Sequence, residues 1–205
     1  SVKELDGSVT SIRNAHPNLS KIIEEGKITT FVNLQSEVNI PKDAENLGGK
    51  NDGHQADEMP DYSDTVASES PEAKIVYYGM EDDSIVESTE ELQSVIENLV
   101  EKLSKDNEVL YVHCKGGSGR TGIITACLLG RMYPDLSADE VLERTQKYFE
   151  MRAKSVGKWV NPKSKSPATE GQKEQVKEFL SSATTIPDTN KANEGNNNGG
   201  ACVMM

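Results

Sequence analysis

Glu108-Val109-Leu110-Tyr111-Val112-His113-Cys114-Lys115-Gly116-Gly117-Ser118-Gly119-Arg120-Thr121-Gly122-Ile123-Ile124-Thr125-Ala126-Cys127-Leu128-Leu129 passes without a break from a β-type apolar run, through a glycine-rich turn, into a helix-type run. The β-branched and aromatic residues up to Val112 fit a buried strand, and Thr121 to Met132 fits a helix. Between them, Cys114 and Arg120 are separated by five residues, three of them glycine. The first turn of a helix has N–H groups without intrahelical partners, and the peptide dipoles add there. A glycine-rich turn feeding such a helix therefore converges donors on one anion. The same field favours a thiolate, since cysteines at helix N-termini ionise at about 3.5–7.5 rather than about 8.5. Cys114 is thus a candidate nucleophile on the floor of an anion cradle formed by Lys115, Gly116, Gly117, Ser118, Gly119 and Arg120. The planar fork of Arg120 suits two oxygens of one phosphoryl group.

Two other glycine-rich loops compete with that reading. Gly117-Ser118-Gly119-Arg120-Thr121-Gly122 also reads as the dinucleotide fingerprint G-x-G-x-x-G. That motif calls for a second strand ending in an acid about 20 residues on, whereas this chain continues through Pro134-Asp135 into another helix pattern. A Walker loop is excluded because no Lys-Ser/Thr follows the last glycine. His113-Cys114-Lys115-Gly116-Gly117-Ser118-Gly119-Arg120-Thr121-Gly122 resembles the His-Cys-x5-Arg-Thr signature loop of the cysteine-dependent protein tyrosine phosphatase superfamily. The resemblance covers roughly Asp6 to Leu180, tightly at this loop and loosely elsewhere.

The chain has 205 residues, 35% hydrophobic and 27% charged, which suits one domain with tails. We expect a phosphatase domain over residues 1–182 and a disordered tail over 183–205. No stretch reaches the ~18 apolar residues needed to cross a bilayer, and no secretory core opens the chain, so a cytoplasmic protein is expected. Cys114, Cys127 and Cys202 are too few and scattered for a disulfide framework. Cys127 reads as a small core residue beside Ile123, Ile124 and Leu128; the alternative is a redox partner for Cys114. The net charge of −12 argues against nucleic-acid binding. From Pro41 to Glu72, nine acids face two lysines in a stretch poor in core-forming residues, which predicts a long acidic loop insertion. Lys147 to Lys165 holds six basic residues against Glu150 alone, either a solvated face or a rim that draws anions. Trp159 reads as a core residue.

Along the chain, Asn18 to Glu25 predicts a short helix closed by Gly26, and Ile28 to Leu34 a strand. Lys74 to Tyr78 predicts a second strand. Ser88 with Glu91 forms a capping-box pattern ahead of Leu92, Val95, Ile96, Leu99 and Leu103 at helical spacing, and Ser137 with Glu140 opens another helix. Ser166-Pro167 is expected to start the last helix, with Pro in its first turn. Alternating strands and helices imply an α/β fold: a central, mainly parallel sheet with helices on both faces and the reactive loop outside the carboxyl end of a strand.

The resemblance implies the rest of the site. Its family carries a general acid on a separate loop about 30 residues before the cysteine, and Asp82, 32 residues upstream, is in that place. Asp83 competes with it; both could also be loop acids ahead of the helix at Ser88. His113 would orient the loop, and Thr121 would stabilise the departing thiolate. Gln172 resembles the glutamine that places the hydrolytic water, although tyrosine-specific members carry Gln where Ala168 stands. The plain alternative for Gln172 is an exposed first-turn residue. No cofactor or metal is called for.

The short chain looks more like the dual-specificity branch, which implies a phosphorylated protein substrate carrying phosphotyrosine, with phosphoserine or phosphothreonine beside it. Lipid-active relatives carry a second loop lysine where Ser118 stands, so a phosphoinositide is the alternative substrate, and a non-catalytic phosphate-binding module the second alternative. The ending Cys202-Val203-Met204-Met205 reads as a C-a-a-X box for farnesyl on Cys202. In that it resembles the phosphatases of regenerating liver, which have alanine where Thr121 stands. One lipid chain without a basic cluster gives marginal membrane binding, so reversible peripheral membrane association is expected.

Overall fold

The computed structural model describes residues 19–53, 62–105, 107–156, 164–183 and 201–204. Its elements are α1 (Leu19–Gly26), β1 (Thr30–Gln35), β2 (Glu45–Gly49), α2 (Ser63–Glu69), β3 (Lys74–Met80), α3 (Thr89–Leu103), β4 (Val109–His113), α4 (Gly119–Met132), α5 (Ala138–Val156), α6 (Glu170–Ala183) and β5 (Ala201–Met204). The strands form one sheet in the order β2-β3-β1-β4-β5, every pair parallel.

Side-chain alternation along the strands divides the core in two. Val32, Leu34, Tyr78, Met80, Leu110 and Val112 face one side, where α3, α4, α5 and α6 cover them with Leu92, Ile96, Ile123, Val141, Val176 and Phe179. Phe31 and Tyr111 face the other, against Leu19, Ile22 and Ile23 of α1 and Tyr62 and Val66 at α2. The sheet is therefore parallel and covered on both faces, as its element order predicts. Because β1 lies between β3 and β4, the carboxyl ends of all three strands open on the same edge of the sheet, where the loops after them meet.

Four expectations change. The stretch 41–72 carries β2 and α2 rather than only loop. Its sequence has little β propensity, but Gly49 and Gly79 let the two main chains touch: a Cβ on Gly49 would lie 2.2 Å from the Gly79 carbonyl oxygen, and one on Gly79 would lie 1.6 Å from that of Lys50. Glu91 does not complete its capping box by bonding back to Ser88. Ser88 Oγ accepts the Glu91 N–H, while Glu91 Oε1 accepts the N–H of Gly49 and ties α3 to β2. The last helix starts at Glu170 rather than at Ser166-Pro167, because Thr169 and Gln172 form its capping box. Thr169 Oγ1 accepts the Gln172 N–H, and Gln172 Oε1 accepts that of Thr169. Finally, within the tail expected to be disordered, Ala201–Met204 pairs with β4 as β5, Cys202 opposite Leu110. Trp159 and much of the basic run around it lie outside the described residues.

Candidate active site

β4 ends by delivering His113 and Cys114, both buried, to the mouth of α4. Gly117, at φ +66°, takes a left-handed turn that aims its N–H back at the Cys114 sulfur, 3.1 Å away. Thr121, one turn into α4, donates its hydroxyl to the same sulfur at 3.2 Å. The Cys114 Sγ is thus solvated by protein donors in place of water. Lys115 and Gly116 are exposed on the rim of the loop. Behind the loop, the Tyr62 hydroxyl lies 2.5 Å from His113 Nε2, and the two rings meet edge to face.

Arg120 is fully buried although it carries a permanent charge. Its partner is Glu37, just past β1: Nη1 donates to Oε2 at 2.7 Å and Nη2 to Oε1 at 3.1 Å. Nη1 also donates to the Met80 carbonyl at the end of β3, 3.0 Å away. Two strand ends thereby fix the plane of the guanidinium, while its Nε–H has no acceptor among the described residues. Burial alone would weaken the charge of Arg120, but the hydrogen bond to Glu37 and the charges of Cys114, Glu37 and Asp82 outweigh it and hold its pKa above the ordinary value. Burial likewise pushes the Glu37 carboxyl upward, and the hydrogen bond and charge of Arg120 bring it below the usual carboxylate range.

Asp82 reaches the other side of the same fork. Its Oδ1 lies 3.1 Å from Arg120 Nη2, and its own side chain is 67% exposed, so it stands at the open side of the cradle. Among the described residues, Glu37 and Asp82 are the two carboxylates that pair with Arg120. Asp83 is the left-handed residue of the turn at φ +55°. Of the two neighbouring acids that the sequence leaves in competition, Asp82 is the one that lies beside Arg120.

Gln172 is buried rather than an exposed first-turn residue. Its Oε1 accepts the N–H groups of Ala168 and Thr169, and its Nε2 donates to the Ser84 carbonyl in the Asp82 loop at 2.9 Å. A Cβ on Gly119 would lie 3.0 Å from that Nε2, so glycine there lets the signature loop press against Gln172. Cys127 is buried in the core, and burial pushes its thiol pKa far upward, in keeping with a packing residue. Among the described residues, no cluster of His, Cys, Asp or Glu is arranged to hold a metal ion.

Glu37 and Tyr62 were invisible as site residues in the sequence. Neither belongs to a motif, and only the adjacency of β1 to β4 puts Glu37 beside Arg120. The spacing of Thr169 and Gln172 is the capping-box signal that the sequence reading passed over, and it gives Gln172 a structural duty that its place in the C-terminal loop alone did not suggest.

The chain is similar to several known proteins. A 74-residue segment, 35% of the chain, is 36% identical to the putative tyrosine phosphatase 197R of Invertebrate iridescent virus 6, and it spans 27% of that protein's length. Tk-PTP in its active form shares the fold with a TM-score of 0.53 and 19% identity, over 80% of this chain and 85% of that one. The Yvh1 phosphatase domain from Chaetomium thermophilum does so at 0.51 and 15% identity, over 82% and 88%. PTPMT1 in complex with PI(5)P does so at 0.51 and 14% identity, over 83% and 87%. Residues 10–177 match the model of PTP-SAK, described as a Swiss Army Knife protein, DSP-PTPase phosphatase domain, and the chain belongs to that family.

Proposed function

We propose that this chain hydrolyses phosphate monoesters on proteins, phosphotyrosine foremost with phosphoserine and phosphothreonine beside it, through a cysteinyl-phosphate intermediate. The observation that carries the reading is the meeting of three groups from three segments: the sulfur of Cys114, the buried fork of Arg120 and the open-side carboxyl of Asp82. In the first displacement the Cys114 thiolate attacks phosphorus, the P–O bond to the leaving group breaks, and the Asp82 carboxyl hands its proton to the departing oxygen. In the second, water attacks phosphorus, its proton passes to the Asp82 carboxylate, and the S–P bond breaks to return the thiolate and inorganic phosphate. The loop N–H groups and the free Nε–H of Arg120 supply donors for the equatorial oxygens in both steps, and the Thr121 hydroxyl and Gly117 N–H receive the departing thiolate. None of these steps is routed through a metal or cofactor.

A second reading, phosphoinositide hydrolysis, is favoured by two observations: Lys115 stands exposed on the loop rim, and a fold relative, PTPMT1, is described in complex with PI(5)P. Ser118 in place of a second lysine leaves less charge for a polyphosphate headgroup, so the protein substrate leads. The test is phosphate release from phosphotyrosyl peptides, phosphoseryl peptides and phosphoinositide vesicles. Faster turnover of the phosphotyrosyl peptide supports the first reading, and faster turnover of the vesicles replaces it with the second. A folded protein that binds phosphate without turning over any of the three identifies a non-catalytic phosphate-binding module.

A further inference from the structure

The loop that carries Asp82 has little to hold it from within. Glu81, Asp82, Asp83, Ile85 and Glu87 are all exposed, and its internal bonds centre on Ser84, whose N–H and Oγ both reach the Glu81 carbonyl and whose Oγ also lies 3.4 Å from the Ile85 carbonyl. What fixes it comes from α6. Gln175 meets Val86 at both of its backbone groups: Oε1 accepts the Val86 N–H at 3.0 Å, and Nε2 donates to the Val86 carbonyl at 2.6 Å. One turn earlier on the same helix, Gln172 Nε2 takes the Ser84 carbonyl. Gln172 and Gln175 are three residues apart and share a helix face, so they grip alternate residues, Ser84 and Val86, of the loop.

From this we infer that Gln175 is a positioning residue for the general acid: its paired bonds to Val86 hold the loop in the arrangement that brings Asp82 to Arg120. The inference rests on the phosphatase reading above. Val86 itself is anchored in the core, 6% exposed among Leu92 and Val176, so the clamp fixes the end of the loop from which Asp82 reaches out. Gln172 cannot do this alone, because its Oε1 is occupied by the cap of α6 and a single Nε2 bond restrains one carbonyl. Lys50 adds an exposed, salt-sensitive tie, at 3.3 Å from Glu81 and 2.7 Å from Glu87.

The consequence is specific to one chemical step. Protonation of the leaving oxygen matters most when that oxygen is basic, as for a phenol with a pKa of about 10, and least for nitrophenol. The kcat/KM of a two-displacement phosphatase reports formation of the cysteinyl-phosphate and so contains this proton transfer. For Gln175→Ala and for the isosteric Gln175→Met, kcat/KM on phenyl phosphate should fall about tenfold, and on 4-nitrophenyl phosphate by less than about threefold, with the melting temperature checked for each variant. Placed in an Asp82→Asn background, either change should lower kcat/KM on phenyl phosphate no further, because the group it positions is already gone. Equal losses on both esters, or the same loss with and without Asp82, would show a general structural effect and overturn the clamp while leaving the phosphatase reading intact. A folded wild type that hydrolyses neither ester would overturn both.

Discussion

Replacing Glu37 by glutamine probes the least visible part of the site. The guanidinium of Arg120 is fully buried, the Glu37 side chain is 5% exposed, and two hydrogen bonds of 2.7 and 3.1 Å join them. Glutamine keeps the shape and one acceptor, but it turns an amide N–H₂ toward a guanidinium N–H and removes the buried counter-charge, leaving the exposed Asp82 carboxylate as the remaining carboxylate partner among the described residues. Breaking a buried ion pair from one side typically costs about 3–5 kcal/mol, and the retained acceptor puts Glu37→Gln near the lower figure. For a chain of this size each kcal/mol moves the melting temperature by about 2–4 °C, so a fall of roughly 6–12 °C is expected by differential scanning calorimetry. The gap should depend on pH. The folded-state pKa of Glu37 lies below its ordinary value of 4.5, so its contribution is full above that value and is lost as pH falls through the folded pKa. The difference between wild type and Glu37→Gln should therefore narrow below pH 4.5. Turnover should drop about a hundredfold at neutral pH, because a fork released from one of its two strand-end anchors no longer sits in register with the phosphoryl oxygens. A variant that melts within about 2 °C of wild type and turns over at a comparable rate would refute the claim that Glu37 sets the fork.

Two more outcomes follow from the same geometry. Asp82→Asn should lower kcat/KM on phenyl phosphate by about a hundredfold or more, whereas Asp83→Asn, at a left-handed position that asparagine tolerates, should stay within about threefold; a steady-state comparison decides between the two acids. Gly122→Ala should destabilise the fold by about 1–3 kcal/mol in urea titrations, because its Cβ would lie 2.6 Å from Ser166 Oγ and 2.8 Å from Pro167 Cα.

The centre of the fold was legible because local and global signals coincide there. The run from Val109 to Met132 has a strand period, a glycine turn and a helix period in immediate succession, and the parallel sheet follows from the alternation on either side of it. The edges were not legible. β2 exists because Gly49 and Gly79 allow two backbones to approach, which is a property of the pair and not of either segment. β5 is held by pairing with β4, and its four residues carry no strand signal of their own strength. Within the site, Cys114, Arg120 and Asp82 stand at spacings a motif can reveal. Glu37 and Gln175 act across 83 and 89 residues of sequence, and only the strand order and the docking of α6 bring them to their partners.

The most direct test is acid quenching of the enzyme during turnover of a phosphotyrosyl peptide, followed by mass spectrometry of the peptide that contains Cys114. A phosphoryl adduct on that sulfur, absent in Cys114→Ser, is the predicted result. Rapid phosphate release with Cys114 unmodified at every quench time, or undiminished turnover by Cys114→Ser, would contradict it.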